Sequence, residues 1–230
     1  YDGKKVAVKK QKLSLLREFR DKLVGSKLHM QQHIARIFEE TETDDTDAVQ
    51  FDAEEAYEDI IDILEDKFKN ASWFNLITWT RTSPTEPTQH NHTILIPASD
   101  YNRGKTTIFD LLNKVLQEDR LGEPSKYLVI SYSHYPDKNL GFDLEQPKVL
   151  SMKNYFSSTD NTTYKLIGLI SHCGEDTTSG HNLAYRLIDG MWYYFNDHEV
   201  YAISEHEIGK VYGWENDENE TAYLAFFEQN

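Results

Sequence analysis

The sequence of 230 residues contains a single cysteine and no long apolar run. Cys173 has no cysteine partner within the chain, so no intrachain disulfide can form. This is typical of a reducing compartment, and we expect a cytoplasmic or nuclear location. No stretch of about 18 consecutive apolar residues occurs, so no membrane-spanning helix is expected. A structural zinc site usually takes four Cys or His ligands, and the pair His90 and His92 is too small a set. We therefore expect no metal and no other cofactor.

Positive charge is also scarce. The 24 Lys and Arg residues face 39 Asp and Glu residues, which gives a net charge of -15. Nucleic acids need a basic surface, so direct binding to nucleic acid is not expected. The charge would attract a basic partner, although it is equally compatible with keeping the protein in solution. The start, Tyr1 to Lys5, carries no signal-peptide pattern and no initiator Met, which is typical of an internal fragment.

The first quarter of the sequence has the spacing of amphipathic helices. Apolar residues recur on one helical face between Leu16 and Leu23 and again between Met30 and Phe38. The acidic stretch Glu39 to Asp52 is predicted to be a loop. A further helix is predicted from Glu54 to Phe68, because acidic residues open it and apolar residues repeat at helical spacing.

Beyond Asn70 the sequence favours strands. One more helix is predicted, capped by Thr106 or Thr107 and carrying apolar residues from Ile108 to Leu116. Helices first and an antiparallel sheet later predict an α+β fold. We interpret residues 1–230 as a single domain, with a helical part at 1–70 and a mostly β part at 71–230. The predicted strands are Trp73–Arg81, Thr93–Ile96, Tyr127–Tyr132, Tyr164–His172, Leu183–Leu187, Met191–Phe195 and Ala222–Phe227.

The segment from His172 to Val200 carries the strongest chemical signal. His181 opens one strand, the turn Asp189-Gly190 predicts a tight hairpin, and Asn196 and Asp197 end the next strand. Pairing of these strands would bring the imidazole close to an amide or a carboxylate. A histidine oriented in this way is the base-plus-orienter half of a nucleophilic triad. On spacing alone the signal is weak, because a histidine beside an Asn-Asp turn usually has only a structural role.

The complete pattern resembles the histidine box of the ubiquitin-specific proteases. That box has a strand, His-x-Gly, a loop, Gly-His-Tyr, a second strand, and Trp-Tyr-x-Phe-(Asn/Asp)-Asp followed by Val. The family's closing strand, Ala-Tyr-x-Leu-Phe-Tyr, is similar to Ala222–Phe227. The matching elements of the box are His172-Cys173-Gly174, Gly180-His181-Asn182, Trp192-Tyr193-Tyr194-Phe195-Asn196-Asp197 and Val200.

The resemblance extends upstream in the family's order. Phe51-Asp52-Ala53-Glu54-Glu55 is similar to the family's Gln-Asp-Ala-x-Glu, which opens a helix of Leu-Leu-Asp-x-Leu type. Ile60-Ile61-Asp62-Ile63-Leu64 stands in the place of that helix. Thr93 to Pro97, the helix Ile108 to Leu116 and the strand Tyr127 to Tyr132 also look like family elements. From about Leu16 to the end, most of the chain follows the family.

The resemblance implies the papain-like fold of these proteases, with a helical thumb and a sheet-based palm and fingers that hold ubiquitin. It assigns His181 as general base, Asn196 as its orienter and Asp197 as support. The expected partners are ubiquitin or a ubiquitin-like protein, and also a larger protein complex. Three residues are expected to lie near the cleft for ubiquitin's basic C-terminal tail, namely Asp52, Glu55 and Gly180.

The chain departs from the family at the nucleophile. The box Gly-Asn-Thr-Cys-Tyr-x-Asn-Ser does not occur, and matching Phe19-Arg20 to the family puts its cysteine near Lys4. Cys173 is interpreted as a packing residue. Asn182 replaces the usual Tyr, and Phe51 replaces the usual Gln. Two explanations stay open: the cysteine lies upstream of Tyr1, or the domain is an inactive pseudo-deubiquitinase that acts as a scaffold. The sequence as given favours an inactive domain. A third alternative, an acidic α+β domain unrelated to ubiquitin, is disfavoured by the ordered series of motifs.

Overall fold

The computed structural model describes nine segments of the chain: residues 53–68, 76–82, 89–97, 107–116, 119–132, 149–157, 162–174, 180–212 and 220–230. The chain consists of two compact units, Tyr1–Phe51 with Ala56–Lys69, and Asp52–Glu55 with Asn70–Asn230. The helices predicted within 16–38 and the loop predicted at 39–52 lie outside the described residues. The single-domain organisation over 1–230 stays a prediction.

The first described element is helix α1, Ala53–Phe68, which matches the helix predicted from Glu54. Its apolar positions recur every three or four residues, and Ile61 is buried. None of the described helices is long and apolar enough to cross a membrane.

Most described strands form one large mixed sheet. It contains β3 (Thr93–Ile96), β5 (Tyr127–Tyr132), β6 (Val149–Ser151), β7 (Thr163–Cys173), β8 (His181–Ile188), β9 (Met191–Asn196), β10 (Glu199–Ile203) and β11 (Glu220–Gln229). A smaller sheet contains β1 (Trp79–Thr82), β2 (Gln89–Asn91) and β4 (Arg120–Leu121). The strand order of the large sheet is β10-β9-β8-β7-β11-β5-β3, with β6 paired to β7 beside this path, and the order of the small sheet is β2-β1-β4.

Helix α2, Ile108–Leu116, begins at a cap that the sequence predicted. The Thr107 hydroxyl accepts a hydrogen bond from the Asp110 amide at 3.1 Å, while the Thr107 amide donates to the Asp110 carboxylate at 3.0 Å. The Thr107 hydroxyl also donates to this carboxylate at 2.7 Å, and this bond, followed by the bond from the Thr107 amide, lowers the pKa of Asp110. The reciprocal pair satisfies backbone donors that the first helical turn leaves unpaired.

One strand pair differs from the predicted antiparallel sheet. Strands β3 and β5 are parallel, with Thr93 opposite Val129 and Ile96 opposite Tyr132. Parallel neighbours need a crossover connection, and the segment carrying α2 supplies it. The other described pairs of the large sheet are antiparallel.

Two further differences from the sequence prediction have local causes. Strand β1 begins at Trp79, because Leu76 and Ile77 are in a turn in spite of the β-branched composition there. Strands β2, β4, β6 and β10 and helix α3 (Glu205–Tyr212) were not predicted at all. The helix nevertheless has a capping box, since the Ser204 amide donates to the Glu207 carboxylate at 2.6 Å.

The core of the second unit is formed between the large sheet, α2 and α3. It includes fully buried aromatic side chains such as Tyr132, Tyr164 and Phe227. The Tyr164 hydroxyl donates to the Ser125 carbonyl oxygen at 2.6 Å, so its polar atom is satisfied within the core. Burial raises the pKa of Tyr164 to about 12.

We expect Leu112→Ala to destabilise the protein by about 2 to 5 kcal/mol, because the side chain is fully buried and its removal leaves a cavity. Leu95→Ala is the matched control, since this leucine is 47% exposed, and it should cost about 1 kcal/mol or less. Urea denaturation of both variants measures the difference. Equal losses would mean that α2 is not part of the core.

Candidate active site

The hairpin of β8 and β9 brings the predicted site residues to one end of the sheet. Its two-residue turn has positive φ at both positions, 49° at Asp189 and 81° at Gly190, as type I′ turns require. The register pairs Ile188 with Met191 at the turn and Ala184 with Phe195 near the open end. His181 begins β8 and Asn196 ends β9, so both lie at the open end.

His181 and Asn196 are in direct contact there. The imidazole Nε2 and the amide Oδ1 are 2.7 Å apart. An amide oxygen only accepts, so in this geometry Nε2 carries the proton and donates it. The other ring nitrogen, Nδ1, then keeps its lone pair. This is the tautomer that a base acting through Nδ1 requires.

Asp197 lies near the same ring nitrogen without a direct hydrogen bond. Its Oδ2 is 3.7 Å from His181 Nε2, beyond ordinary hydrogen-bond distance, and its side chain is 73% exposed. The residue has φ of 48°, a left-handed conformation that Asp tolerates better than most residues. Asn196 is thus the direct partner of the imidazole, and Asp197 places a negative charge nearby.

Gly180 allows strands β7 and β8 to approach closely just before His181. Its φ is 147°, which L side chains rarely adopt. A Cβ at this position would overlap the Cys173 carbonyl oxygen and would meet the His172 ring at 2.7 Å. The position therefore requires glycine on steric grounds, whatever its role toward a ligand.

Cys173, which is not in a disulfide, lies directly opposite His181 in the β7–β8 ladder. Opposite residues of an antiparallel pair project to the same face. The Cys173 side chain is partly buried and packs against the hydrophobic core. This position agrees with a packing role for the thiol.

A buried polar cluster that the sequence did not reveal lies on this face of the sheet. The Tyr185 hydroxyl donates to Glu220 Oε1 at 2.7 Å, and the Ser171 hydroxyl donates to the same oxygen. Glu220 is only 6% exposed. Burial, and next the bond to Glu220, raise the pKa of Tyr185 far above its ordinary value. The alternation of side chains along β8 places Tyr185 on the same face as His181, and the sequence could have shown this. It could not show that Glu220, on a strand distant in sequence, lies beside Tyr185.

The structure does not describe the side chains of the other two predicted site residues, Asp52 and Glu55. Asp52 lies outside the described residues. Glu55 belongs to the first turn of α1, but its side chain is outside the described set. Among the side chains that are described, no group of three or more His, Cys, Asp or Glu could hold a metal ion.

A cavity of about 320 Å³ lies elsewhere on the second unit. Its lining includes Leu187, Trp192 and Ile208, and Leu187 is six residues along β8 from His181. At roughly 3.4 Å per residue, this puts the cavity about 20 Å from the imidazole. The cavity is therefore separate from the histidine site.

The fold is found in solved structures of deubiquitinating modules. The structure of the Ubp8-Sgf11-Sgf73-Sus1 SAGA DUB module aligns with a TM-score of 0.66 and 19% identity, over 95% of this chain and 57% of that chain. A SAGA DUB module bound to monoubiquitin aligns with a TM-score of 0.61 and 20% identity, over 88% of this chain and 53% of that chain. The second unit with its α+β sheet thus has the fold of ubiquitin-specific protease domains.

Sequence comparison identifies the family. The family model for ubiquitin carboxyl-terminal hydrolase matches residues 8–227. The chain therefore belongs to the ubiquitin carboxyl-terminal hydrolase family, as the motifs predicted.

Curated relatives include two enzymes with stretches of clear identity. Ubiquitin carboxyl-terminal hydrolase 8 of Saccharomyces cerevisiae is 34% identical over 96 residues, which is 36% of this chain and 18% of that protein. Ubiquitin carboxyl-terminal hydrolase 3 of Mus musculus is 36% identical over 83 residues, which is 34% of this chain and 14% of that protein. The match thus spans less than a fifth of the length of these relatives.

We expect Gly180→Ala to destabilise the protein by about 2 to 4 kcal/mol, because it adds a steric overlap to an unfavourable φ. Gly190→Ala is the matched control. Its φ is also positive, at 81°, but a Cβ there meets nothing within 4 Å, so it should cost about 1 kcal/mol. Denaturation measures both losses. Equal costs would show that the close approach of β7 and β8 at Gly180 is not a constraint.

Proposed function

We propose that this chain recognises ubiquitin and that His181 and Asn196 form the base-and-orienter half of a thiol isopeptidase site. The observation that carries the proposal is the 2.7 Å contact between His181 Nε2 and Asn196 Oδ1, in a chain of the ubiquitin carboxyl-terminal hydrolase family. This contact leaves Nδ1 as the proton acceptor. The exposed fraction of the His181 side chain, 45%, leaves the ring accessible to a substrate.

The chemistry of such a site follows from the pair. The imidazole takes the proton of a cysteine thiol, and the thiolate attacks the carbonyl carbon of ubiquitin's terminal glycine. The imidazolium then returns the proton to the leaving amine, and water releases ubiquitin from the thioester. Asn196 holds the ring in position, and the Asp197 carboxylate at 3.7 Å favours the transient positive charge.

We interpret Cys173 as a packing residue and not as the nucleophile of this reaction. The thiol lies on a β-strand opposite His181 and packs against the core, whereas an attacking thiol must also reach the substrate carbonyl. The family's Gly-Asn-Thr-Cys box does not occur within these 230 residues. We infer that this chain by itself binds ubiquitin without cleaving it.

Charge supports the choice of ligand. The net charge of -15 favours approach of a basic segment, and ubiquitin's C-terminal tail is basic. Asp52, Glu55 and Gly180 are the proposed contacts of that tail. Structural neighbours that contain Ubp8 within a SAGA module, one of them bound to monoubiquitin, support ubiquitin and a larger complex as partners.

A non-catalytic scaffold is the second candidate function. The observation that favours it is the packing of Cys173 against the core, because this is the one cysteine of the chain. Under this reading the histidine pair is retained as structure, and the surface that binds ubiquitin or a complex subunit carries the function. The two candidates differ in whether a cysteine outside these 230 residues completes the site and reacts at ubiquitin's C-terminus.

We expect saturable one-to-one binding when the 230-residue protein is titrated with ubiquitin in a calorimeter. Ubiquitin shortened by its C-terminal tail is the matched ligand control and should bind several-fold more weakly. Raising the salt concentration should weaken binding to intact ubiquitin, because the charge attraction is screened. Absence of binding at high concentration would contradict ubiquitin recognition and leave the scaffold reading.

The variant His181→Ala sharpens this measurement. It should leave affinity nearly unchanged, since the base acts in bond cleavage rather than in ground-state binding. His206→Ala, an exposed histidine on α3, controls for the loss of an imidazole elsewhere. A large loss of affinity in His181→Ala alone would reassign His181 to ubiquitin binding.

Treatment with ubiquitin that carries a thiol-reactive electrophile at its C-terminus should leave this chain unlabelled, because its one thiol is held against the core. Intact-mass spectrometry checks for the adduct. Cys173→Ala is the control variant. An adduct that forms rapidly and disappears in Cys173→Ala would assign Cys173 as a nucleophile and overturn the inference that the chain cannot react.

A further inference from the structure

The orienter of His181 is an amide, and an amide has two unlike ends. A carboxylate would accept a hydrogen bond from the ring with either oxygen, but Asn196 can do so only through Oδ1. Rotation of the amide by half a turn would present Nδ2 to the ring instead. Nδ2 would then donate to Nε2, and the ring proton would move to Nδ1. The histidine would lose the free lone pair that a base acting through Nδ1 needs.

A second contact is therefore required to hold the amide in one orientation. Asp197 contributes in part, because its carboxylate 3.7 Å from Nε2 favours a proton on that nitrogen. This contact acts on the ring and leaves the Nδ2 end of Asn196 to another partner. A partner for Nδ2 from β9 itself would lie on the same face as Asn196, which is the face of every second residue.

Tyr194 occupies that position, two residues before Asn196 on β9. His181 Nε2 engages the Asn196 Oδ1 at 2.7 Å, so Nδ2 is the end of the amide left for a second partner. The Tyr194 hydroxyl can accept a hydrogen bond from Nδ2, which agrees with the lowering effect of the Asn196 side chain on the pKa of Tyr194 beside the larger raising effect of burial. A bond from Nδ2 to Tyr194 would keep Oδ1 turned toward His181.

The ring of Tyr194 is itself fixed within a row of three tyrosines across neighbouring strands. Its centroid lies 5.4 Å from that of Tyr185 on β8 and 4.7 Å from that of Tyr201 on β10. Strand register places these residues directly opposite one another. Tyr185 is anchored in turn by its hydrogen bond to the buried Glu220 carboxylate. The row prevents the Tyr194 hydroxyl from leaving Asn196.

We propose that Tyr194 is a positioning residue that holds the Asn196 amide with Oδ1 on His181 Nε2, and so sets which ring nitrogen of His181 is free to act as base. The proposal rests on the proposed function for its catalytic meaning. Its structural content, the link between Tyr194 and the tautomer of His181, is measurable in the chain without ubiquitin.

The test is the tautomer of His181 in Tyr194→Phe, read from long-range ¹H–¹⁵N spectra of the histidine rings in the 230-residue protein. Spectra are recorded at about pH 8.5, where histidines of ordinary pKa near 6.5 are neutral. The native protein should show mainly the Nε2–H form. In Tyr194→Phe the ratio of Nε2–H to Nδ1–H should fall roughly fivefold, which is the effect of one net hydrogen bond. Tyr201→Phe removes a hydroxyl from the same row and should leave the ratio unchanged.

Rescue separates positioning from general packing. Asn196→Asp replaces the amide with a carboxylate, whose two oxygens both accept a hydrogen bond from the ring. Adding Tyr194→Phe to that variant should therefore not change the ratio of Nε2–H to Nδ1–H. A folded Tyr194→Phe variant with an unchanged ratio would overturn the proposal. So would an equal effect of Tyr194→Phe in the native protein and in the Asn196→Asp variant. Failure of the chain to bind ubiquitin would overturn the proposed function and leave this result standing.

Discussion

The register of the β8–β9 hairpin is the constraint on which the histidine site depends. Side chains alternate between the faces of the sheet, so a slip by one residue would send Asn196 to the face opposite His181. Two features prevent the slip. The tight turn at Asp189 and Gly190 fixes the pairing at one end, and Leu183, Tyr185 and Trp192 are buried along the hairpin. The 2.7 Å contact at the open end is a consequence of packing that occurs elsewhere in the sheet.

The buried cluster under the hairpin connects stability to the site. A buried carboxylate such as Glu220 is costly unless it is hydrogen-bonded, and the hydroxyls of Ser171 and Tyr185 meet that need. Tyr185 is thereby held at both its hydroxyl and its ring, which also restrains Tyr194. The polar cluster joins β7, β8 and β11, and it explains why an accessible histidine can have a fixed partner.

Local patterns predicted much of this fold, and non-local contacts account for what they missed. The Asp189-Gly190 turn, the Thr107 cap and the strand Thr93–Ile96 are encoded within a few residues, and they were predicted correctly. The parallel pairing of β3 with β5 depends on a crossover that no short pattern shows. Strand β10 has exposed residues at most positions, so it lacks the alternation that marks a strand. The predicted hairpin was enough to predict that His181 and Asn196 lie close together. The hydrogen bond of Tyr185 to Glu220 could not be predicted in this way, because it joins residues 35 positions apart.

The histidine–amide pair is built entirely within the second compact unit. His181, Asn196 and Tyr194, together with the cluster beneath them, all belong to antiparallel strands that pair with their neighbours in the large sheet. Their arrangement follows from strand register and core burial, and it needs no contact with a nucleophile. The pair by itself therefore does not decide between an active and an inactive domain, because strand register and core burial place the two residues together in either case.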